Sequence, residues 1–382
     1  MPQTQSQPKN WQKTKLGDFV VFNYGKGLPE RDRVAGLYPV YGSAGMVDTN
    51  KDYLVEGPGI VVGRKGSVGE IYYTAKNYFP IDTVYYITKG EKYNLRFLYY
   101  LLQTIDFKSL NSDAAVPGLN RNTAYAQEVL LPPHPTQKQI ADVLSAYDDL
   151  IENNTKRIKI LEEMAQAIYK EWFAVSSEAL AKYGKITKLE NCFSIHRGKS
   201  YRSDELAEDT GIPFVNLKCI DRDGGFRKSG LKRFIGAFKE SHKVTIGDIV
   251  VAVTDMTQER RIVARAARVP TLDGGFGVIS MDLVKIQPKN DCNSDYIYSL
   301  LRWSGFSDEV KNHANGANVL HLNPARITDY KAFVALPEKR EKFGNKVRPI
   351  FDLIDRLELQ NESLRPARDL LLPKLVNGEI EV

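Results

Sequence analysis

Cysteine is scarce in this chain. The 382 residues hold three, Cys192, Cys219 and Cys292, and no Cys-x-x-Cys spacing. That excludes a disulfide scaffold and a zinc ribbon, and predicts a cytoplasmic location. No run of about 18 apolar residues occurs, so no membrane span is expected. The first ten residues are polar and lack the apolar core of a leader peptide. The five histidines, His134, His196, His242, His313 and His321, have no metal-ligand spacing. The usual nucleotide-binding loop is not completed either. Gly198-Lys199-Ser200 has Phe193 where the first glycine of Gly-x-x-x-x-Gly-Lys-Ser would stand. No Asn-Pro-Pro-[Phe/Tyr] loop of an amino-methyltransferase is present; Asn323-Pro324-Ala325-Arg326 is a fragment of one. Residues 273–277, Asp-Gly-Gly-Phe-Gly, lack strand–turn–helix spacing and read as a turn. Asp106-Phe107-Lys108 and Asp329-Tyr330-Lys331 fit a nuclease Asp-x-Lys fragment, but such triplets are common. The chain is therefore read as no enzyme, with no catalytic residue and no metal site assigned.

What is there is a globular composition, 42% hydrophobic and 26% charged, on a length suited to two or three domains. The net charge of +6 is unevenly spread. Residues 1–135 carry +3, 136–184 carry −2, 185–336 carry +5 and 337–382 are neutral. Two basic blocks imply two anionic contact surfaces.

The chain also repeats itself. Thr14-Lys15-Leu16 and Gly25-Lys26 match Thr187-Lys188-Leu189 and Gly198-Lys199. The run at 59–62 resembles that at 248–251, and Asn94, Leu101 and Leu102 match Asn293, Leu300 and Leu301. Leu119-Asn120 matches Leu322-Asn323, and 129–132 matches 334–337. The order is kept while the offset grows from 173 to 205 residues, so the second copy carries insertions. Each copy reads as short strands (60–63 and 83–87; 249–253 and 281–286), then a Tyr/Leu-rich helix (95–102; 296–303), then a long helix.

The first long helix is expected to open at Thr136, with Gln139 completing a capping box. Steps of four and three then link Ile140, Leu144, Tyr147, Ile151, Asn154, Ile158, Leu161, Ala165, Ile168 and Trp172. This is a heptad seam, too long to hide on one small domain. A second seam runs through Phe343, Val347, Ile350, Ile354, Leu357, Asn361, Leu364, Arg368, Leu371 and Leu375, with kinks expected at Pro349 and Pro366. Antiparallel pairing with Ile140 opposite Leu375 also sets Asn154 opposite Asn361, Ile151 opposite Leu364 and Ile158 opposite Leu357. A buried amide pair would fix the register.

The candidates for reading DNA lie in basic, glycine-rich turns. In the first copy they are Lys26, Arg31, Arg33, Ser43, Arg64, Lys65, Ser67, Asn120 and Arg121. In the second they are Arg197, Lys199, Tyr201, Arg202, Arg227, Lys228, Thr254, Thr257, Gln258, Arg260 and Arg261. Arg, Asn, Gln and hydroxyl side chains form hydrogen bonds with base edges, and Lys holds phosphate.

The chain resembles the specificity subunit of type I restriction–modification systems. The resemblance rests on the block Tyr-Pro-Val-Tyr-Gly-Ser at 38–43, Gly-Arg-Lys-Gly-Ser-Val-Gly at 63–69, and Pro132-Pro133 leading to Gln137, Ile140, Leu144 and Asp148. Ala-Ile-Tyr-Lys-Glu-Trp-Phe at 167–173 and the run at 368–380 complete it. It implies an α+β fold: two similar mixed α/β target-recognition domains separated by two long helices that pair as an antiparallel coiled coil, in a pseudo-twofold arrangement. The domains would be 1–135 (first recognition domain), 136–184 (first spacer helix and linker), 185–336 (second recognition domain) and 337–382 (second spacer helix). Each recognition domain would read one half of a bipartite double-stranded DNA target. Two methyltransferase subunits, which carry S-adenosylmethionine, would dock, and Tyr169, Trp172 and Phe173 are candidates for that patch. Two motor–nuclease subunits using ATP and Mg would join them. This chain itself would hold no cofactor. Two rival readings are a specificity subunit serving a fused nuclease–methyltransferase and a coiled-coil adaptor that binds proteins.

Overall fold

The computed structural model describes residues 10–110, 118–173, 182–289 and 291–382; part of the expected linker, 174–181, lies outside them. The chain forms two compact units, Met1–Asn153 with Glu362–Val382, and Asn154–Asn361. No helix among the described residues is long and apolar enough to cross a membrane.

In the first unit, Gln12–Lys15 pairs antiparallel with Glu128–Leu131 to form a closing ribbon. A four-stranded antiparallel sheet follows, in the order Asn23–Tyr24, Val84–Ile87, Gly59–Gly63, Ile71–Thr74. Its central strand Gly59–Gly63 is buried at every position, which explains why it reads as an unbroken apolar run rather than an alternating one. A second, three-stranded sheet contains Gly45–Asn50, Tyr38–Gly42 and Phe79–Pro80. The helix Leu95–Gln103 starts where the Asn94 side chain accepts from the N–H groups of Arg96 and Phe97. It buries Phe97, Leu98, Leu101 and Leu102 in a core shared with Ile60, Val62, Tyr85 and Ile87.

The second unit repeats the plan. Gly184–Lys188 pairs with Lys331–Ala335. The four-stranded sheet runs Phe193–Arg197, Leu283–Pro288, Ile249–Ala252, Ala266–Arg268, the same order of equivalent strands. The helix Ser294–Trp303 is capped by Asn293, as its counterpart is by Asn94. The counterpart of the three-stranded sheet, Lys232–Phe234, Ile212–Val215 and Gly277–Ile279, is widened here to five strands by Leu206–Ala207 and Lys243–Val244.

Two helices of 40 residues each, His134–Phe173 and Pro337–Val376, complete the structure. Two details differ from the sequence reading. The first helix begins at His134 instead of being capped at Thr136, because Pro135 fits the first helical turn, where its missing N–H costs no bond. The second helix is continuous through Pro349 and Pro366. Both prolines are exposed, as is Asn345, and Glu362 is half-exposed. The prolines thus lie on the water side of the helix.

Each unit contains one stretch of each helix, and in each the stretches run antiparallel. In the first unit Ile140, Ala141 and Leu144 share a core with Leu372, Leu375 and Val376, and Arg368 Nη1 donates to Asp148 Oδ1 at 2.6 Å. In the second, the Trp172 and Phe343 rings lie 5.9 Å apart. Asn154 Nδ2 donates to Asn361 Oδ1 and to Gln360 Oε1, both at 3.0 Å. Asn154 is 0% and Asn361 3% exposed, so the amides lie inside the seam. Leu357 is buried beside them; Ile151, Ile158 and Leu364 are half-buried.

Candidate nucleic-acid interface

In the first unit the sheet ends and the turns beyond them gather most of the predicted residues. Backbone bonds fix the gathering. Lys26 N–H donates to Pro80 O at 3.1 Å, and the N–H groups of Arg64 and Lys65 donate to Thr83 O at 2.9 and 3.1 Å. Arg64 O accepts from Leu119 N–H at 2.8 Å. Asn120 then caps the short helix Arg121–Tyr125. Gly25 is required because a Cβ there would collide with the Ile81 carbonyl. Ser43 and Ser67 approach the same strand end through Gly63.

Two guanidinium groups stand on this edge, supported by tyrosine rings. Arg64 Cζ lies 5.3 Å from the centre of the Tyr24 ring and 5.8 Å from Tyr85. Arg121 Cζ lies 5.1 Å from Tyr24 and 5.9 Å from Tyr125. Arg64 Nη2 donates to Asp82 O at 2.7 Å. Burial first, then a hydrogen bond with Tyr24, pushes the Tyr85 hydroxyl up to about 12, against the pull of Arg64 and Arg121. The hydroxyl stays protonated and donates to Leu119 O at 3.0 Å. Tyr24, 52% exposed, was missed by sequence reasoning.

Arg31 and Arg33 do not join this group. Arg31 is exposed beside Asp32 at 3.8 Å. Arg33 donates to Leu28 O at 3.3 Å and pairs with Asp48 at 3.4 Å, tying its loop to a hairpin.

The second unit has the equivalent edge. Lys199 N–H donates to Ile279 O at 2.8 Å, Val253 N–H to Asp282 O at 2.9 Å, and Leu322 N–H to Val253 O at 2.8 Å. Gly198 is again needed, since a Cβ would collide with the Ser280 carbonyl. Here the edge is a cleft of about 420 Å³ lined by Arg197, Thr254, Asp282, His321 and Asn323 among others. Asp282 Oδ1 accepts from Thr254 Oγ1 at 3.1 Å, and Oδ2 accepts from Ser280 Oγ at 3.3 Å. Asp282, His321 and Asn323 were not among the predicted site residues.

Several predicted residues of this unit serve its fold. Tyr201 packs on Phe214 with ring centres 4.8 Å apart. Arg202 is exposed, with its N–H donating to Glu205 at 2.8 Å. Arg227 donates to Lys218 O at 2.9 Å, and half-buried Lys228 acts electrostatically on Asp355. The stretch from Thr257 to Arg261 folds around Asp255, which is 0% exposed. The Asp255 carboxylate accepts from Thr257 N–H and hydroxyl at 2.9 and 2.8 Å, Ile262 N–H at 2.7 Å and Val263 N–H at 3.2 Å. Burial alone would raise its pKa, but those donors outweigh it and hold the carboxyl below its ordinary range. Gln258 donates to Ala317 O at 2.8 Å, Arg260 to Ala314 O at 3.4 Å, and Arg261 pairs with Glu259.

The aromatic patch expected at the end of the first long helix is largely internal. Tyr169 and Phe173 are 5% and 7% exposed and pack on Phe343 with centroids 5.9 and 5.1 Å apart. The hydrophobic face that marked them as docking residues is the one that builds the core. Only Trp172 is half-exposed. Among the described residues no cluster of His, Cys, Asp or Glu has the arrangement of a metal site. Both Asp-x-Lys triplets hold ion pairs, Lys108 with Glu70 and Asp329 with Lys188, each at 2.8 Å.

Residues 8–163 match the family described as the type I restriction modification DNA specificity domain. The chain is 26% identical to the type I restriction enzyme MjaIX specificity subunit of Methanocaldococcus jannaschii, over 75% of this chain and 69% of that protein. It is 23% identical to the MjaVIII specificity subunit of the same organism, over 98% of this chain and 94% of that one. Among solved structures, the S subunit of a type I restriction–modification system from M. genitalium aligns with a TM-score of 0.68 at 17% identity, covering 97% of each chain. The duplicated α+β modules and the long helices are the fold shared with that S subunit. The chain is similar to the specificity subunits of type I restriction–modification systems.

Proposed function

We propose that the chain is the non-catalytic recognition component of its complex, with each unit reading one half of a bipartite DNA target. The observation that carries this reading is the equivalence of the two edges: the same backbone bonds build a basic rim at Lys26 and Arg64 in one unit and a polar cleft at Lys199 and Thr254 in the other. The paired helices set the spacing of the half-sites and dock two methyltransferase subunits, and two motor–nuclease subunits complete the assembly. S-adenosylmethionine, ATP and Mg belong to those partners.

Randomised duplexes with the full-length chain and its methyltransferase test this. The expected footprint is two short sequence blocks at fixed spacing, with affinity falling about 10³-fold between 50 and 200 mM salt. The chain alone, with labelled S-adenosylmethionine and DNA, transfers no methyl group. No footprint at low salt would overturn the proposal in favour of a protein-binding adaptor.

A further inference from the structure

The equivalent backbone bonds allow the two edges to be compared position by position. Arg64 corresponds to Val253: the N–H of each donates to the strand preceding it in the sheet order, at Thr83 O and Asp282 O, and the carbonyl of each accepts from Leu119 or Leu322. It follows that Thr83 corresponds to Asp282, and that Arg121, two residues beyond Leu119, corresponds to Pro324. Gly25 and Gly198 donate to Val84 O and Leu283 O, both at 3.2 Å, so Tyr24 corresponds to Arg197. The scaffold is shared and the chemistry mounted on it is not.

The first edge presents two guanidinium groups, held in place by Tyr24, and the described residues give neither a carboxylate partner there. A guanidinium only donates hydrogen bonds. The second edge loses both of these arginines and gains a carboxylate. One lone pair on each Asp282 oxygen is used by Thr254 or Ser280. The carboxylate lines a cleft that also holds Arg197 in the Tyr24 position, Asn323 and the exposed side chain of His321. An ionised carboxylate only accepts hydrogen bonds, and it repels phosphate.

We propose that the two units read half-sites of opposite hydrogen-bonding character. Arg64 and Arg121 read the paired acceptors of guanine in one half-site. Asp282 reads an exocyclic amino group, of cytosine or adenine, in the other. This rests on the DNA-reading function proposed above and adds which chemistry each unit selects. The physical basis is that guanine O6 and N7 accept in the major groove, whereas cytosine N4 and adenine N6 donate.

The test is selection from a randomised duplex library by the full-length chain with its methyltransferase, followed by sequencing, for the native protein, R64Q, D282N and H321A. R64Q is expected to lose preference for a guanine in one half-site by about 5- to 150-fold, with the other half-site unchanged. D282N is expected to relax one cytosine or adenine position in the opposite half-site by a similar factor. H321A, at an exposed position of the same cleft, relaxes that half-site too and carries the test if D282N lowers folding. The inference is overturned if D282N and H321A return the native consensus at both half-sites, or if R64Q and D282N act on the same half-site. Absence of any bipartite consensus with the native chain overturns the DNA-reading function instead.

Discussion

Replacing Asp148 by alanine removes the acceptor that ties three elements of the first unit together. Its Oδ2 accepts from the Tyr100 hydroxyl and its Oδ1 from Arg368 Nη1, each at 2.6 Å, and Arg96 Nη2 stands 3.8 Å away. Asp148 thereby joins the first long helix to the helix Leu95–Gln103 and to the last turns of the second long helix. The side chains of Asp148, Arg96 and Arg368 are 18%, 23% and 27% exposed. A hydrogen bond to a charged group contributes about 1.5–3 kcal/mol, and partial access to water lets solvent replace some of it. Two bonds lost, with the Tyr100 hydroxyl left buried, place the cost of D148A at about 3 kcal/mol. A domain of this size loses about 2–4 °C per kcal/mol, so the transition of the first unit falls by about 6–12 °C in scanning calorimetry. Y100F removes one bond and costs about 1 kcal/mol. The double variant D148A/Y100F must be less destabilised than the sum of the two, because both remove the same bond. A D148A transition within about 1 °C of the native one, or strict additivity in the cycle, would refute the reasoning.

Three further outcomes follow from the geometry. Asp255 has a folded pKa below its ordinary 3.8, so its stabilisation is complete above that pH and is lost as pH falls through the folded value; D255N is therefore less stable at pH 7 by about 2 kcal/mol, and urea titrations show the gap closing below pH 3.8. N154L strands the Asn361 amide in the seam and costs about 1–3 kcal/mol in thermal melts, whereas N154L/N361L restores stability; cysteine cross-linking along the seam then detects extra registers in the double variant alone. G198A, forced against the Ser280 carbonyl, lowers both the melting temperature and DNA affinity, while an alanine at exposed Gly27, where a Cβ meets nothing within 4 Å, leaves both unchanged.

The regular parts of this protein were readable because they are periodic. The seams, the matched Asn94 and Asn293 and the paired Gly-Lys turns announce themselves by spacing alone. The continuity at Pro349 and Pro366 was not readable, since it depends on which side of the helix faces water. The individual site residues were harder still. Arg33, Tyr201 and Arg260 have the side chains of DNA readers, and nothing in one dimension reveals that Asp48, Phe214 and Ala314 O already engage them. Asp282 did leave a signal. The 199-residue offset that aligns Asn94 with Asn293 also aligns Thr83 with Asp282, so a repeat alignment carried through the strand ends would have marked it.

The division of the long helices between the units has a consequence for how the protein is made. Leu372, Leu375 and Val376 fill the core of the first unit. During synthesis this unit must wait, with Ile140 and Leu144 uncovered, until the chain has emerged from the ribosome as far as Val376. The later module, bounded by Asn154 and Asn361, has all its pieces first, so the order of translation and the order of completion are reversed.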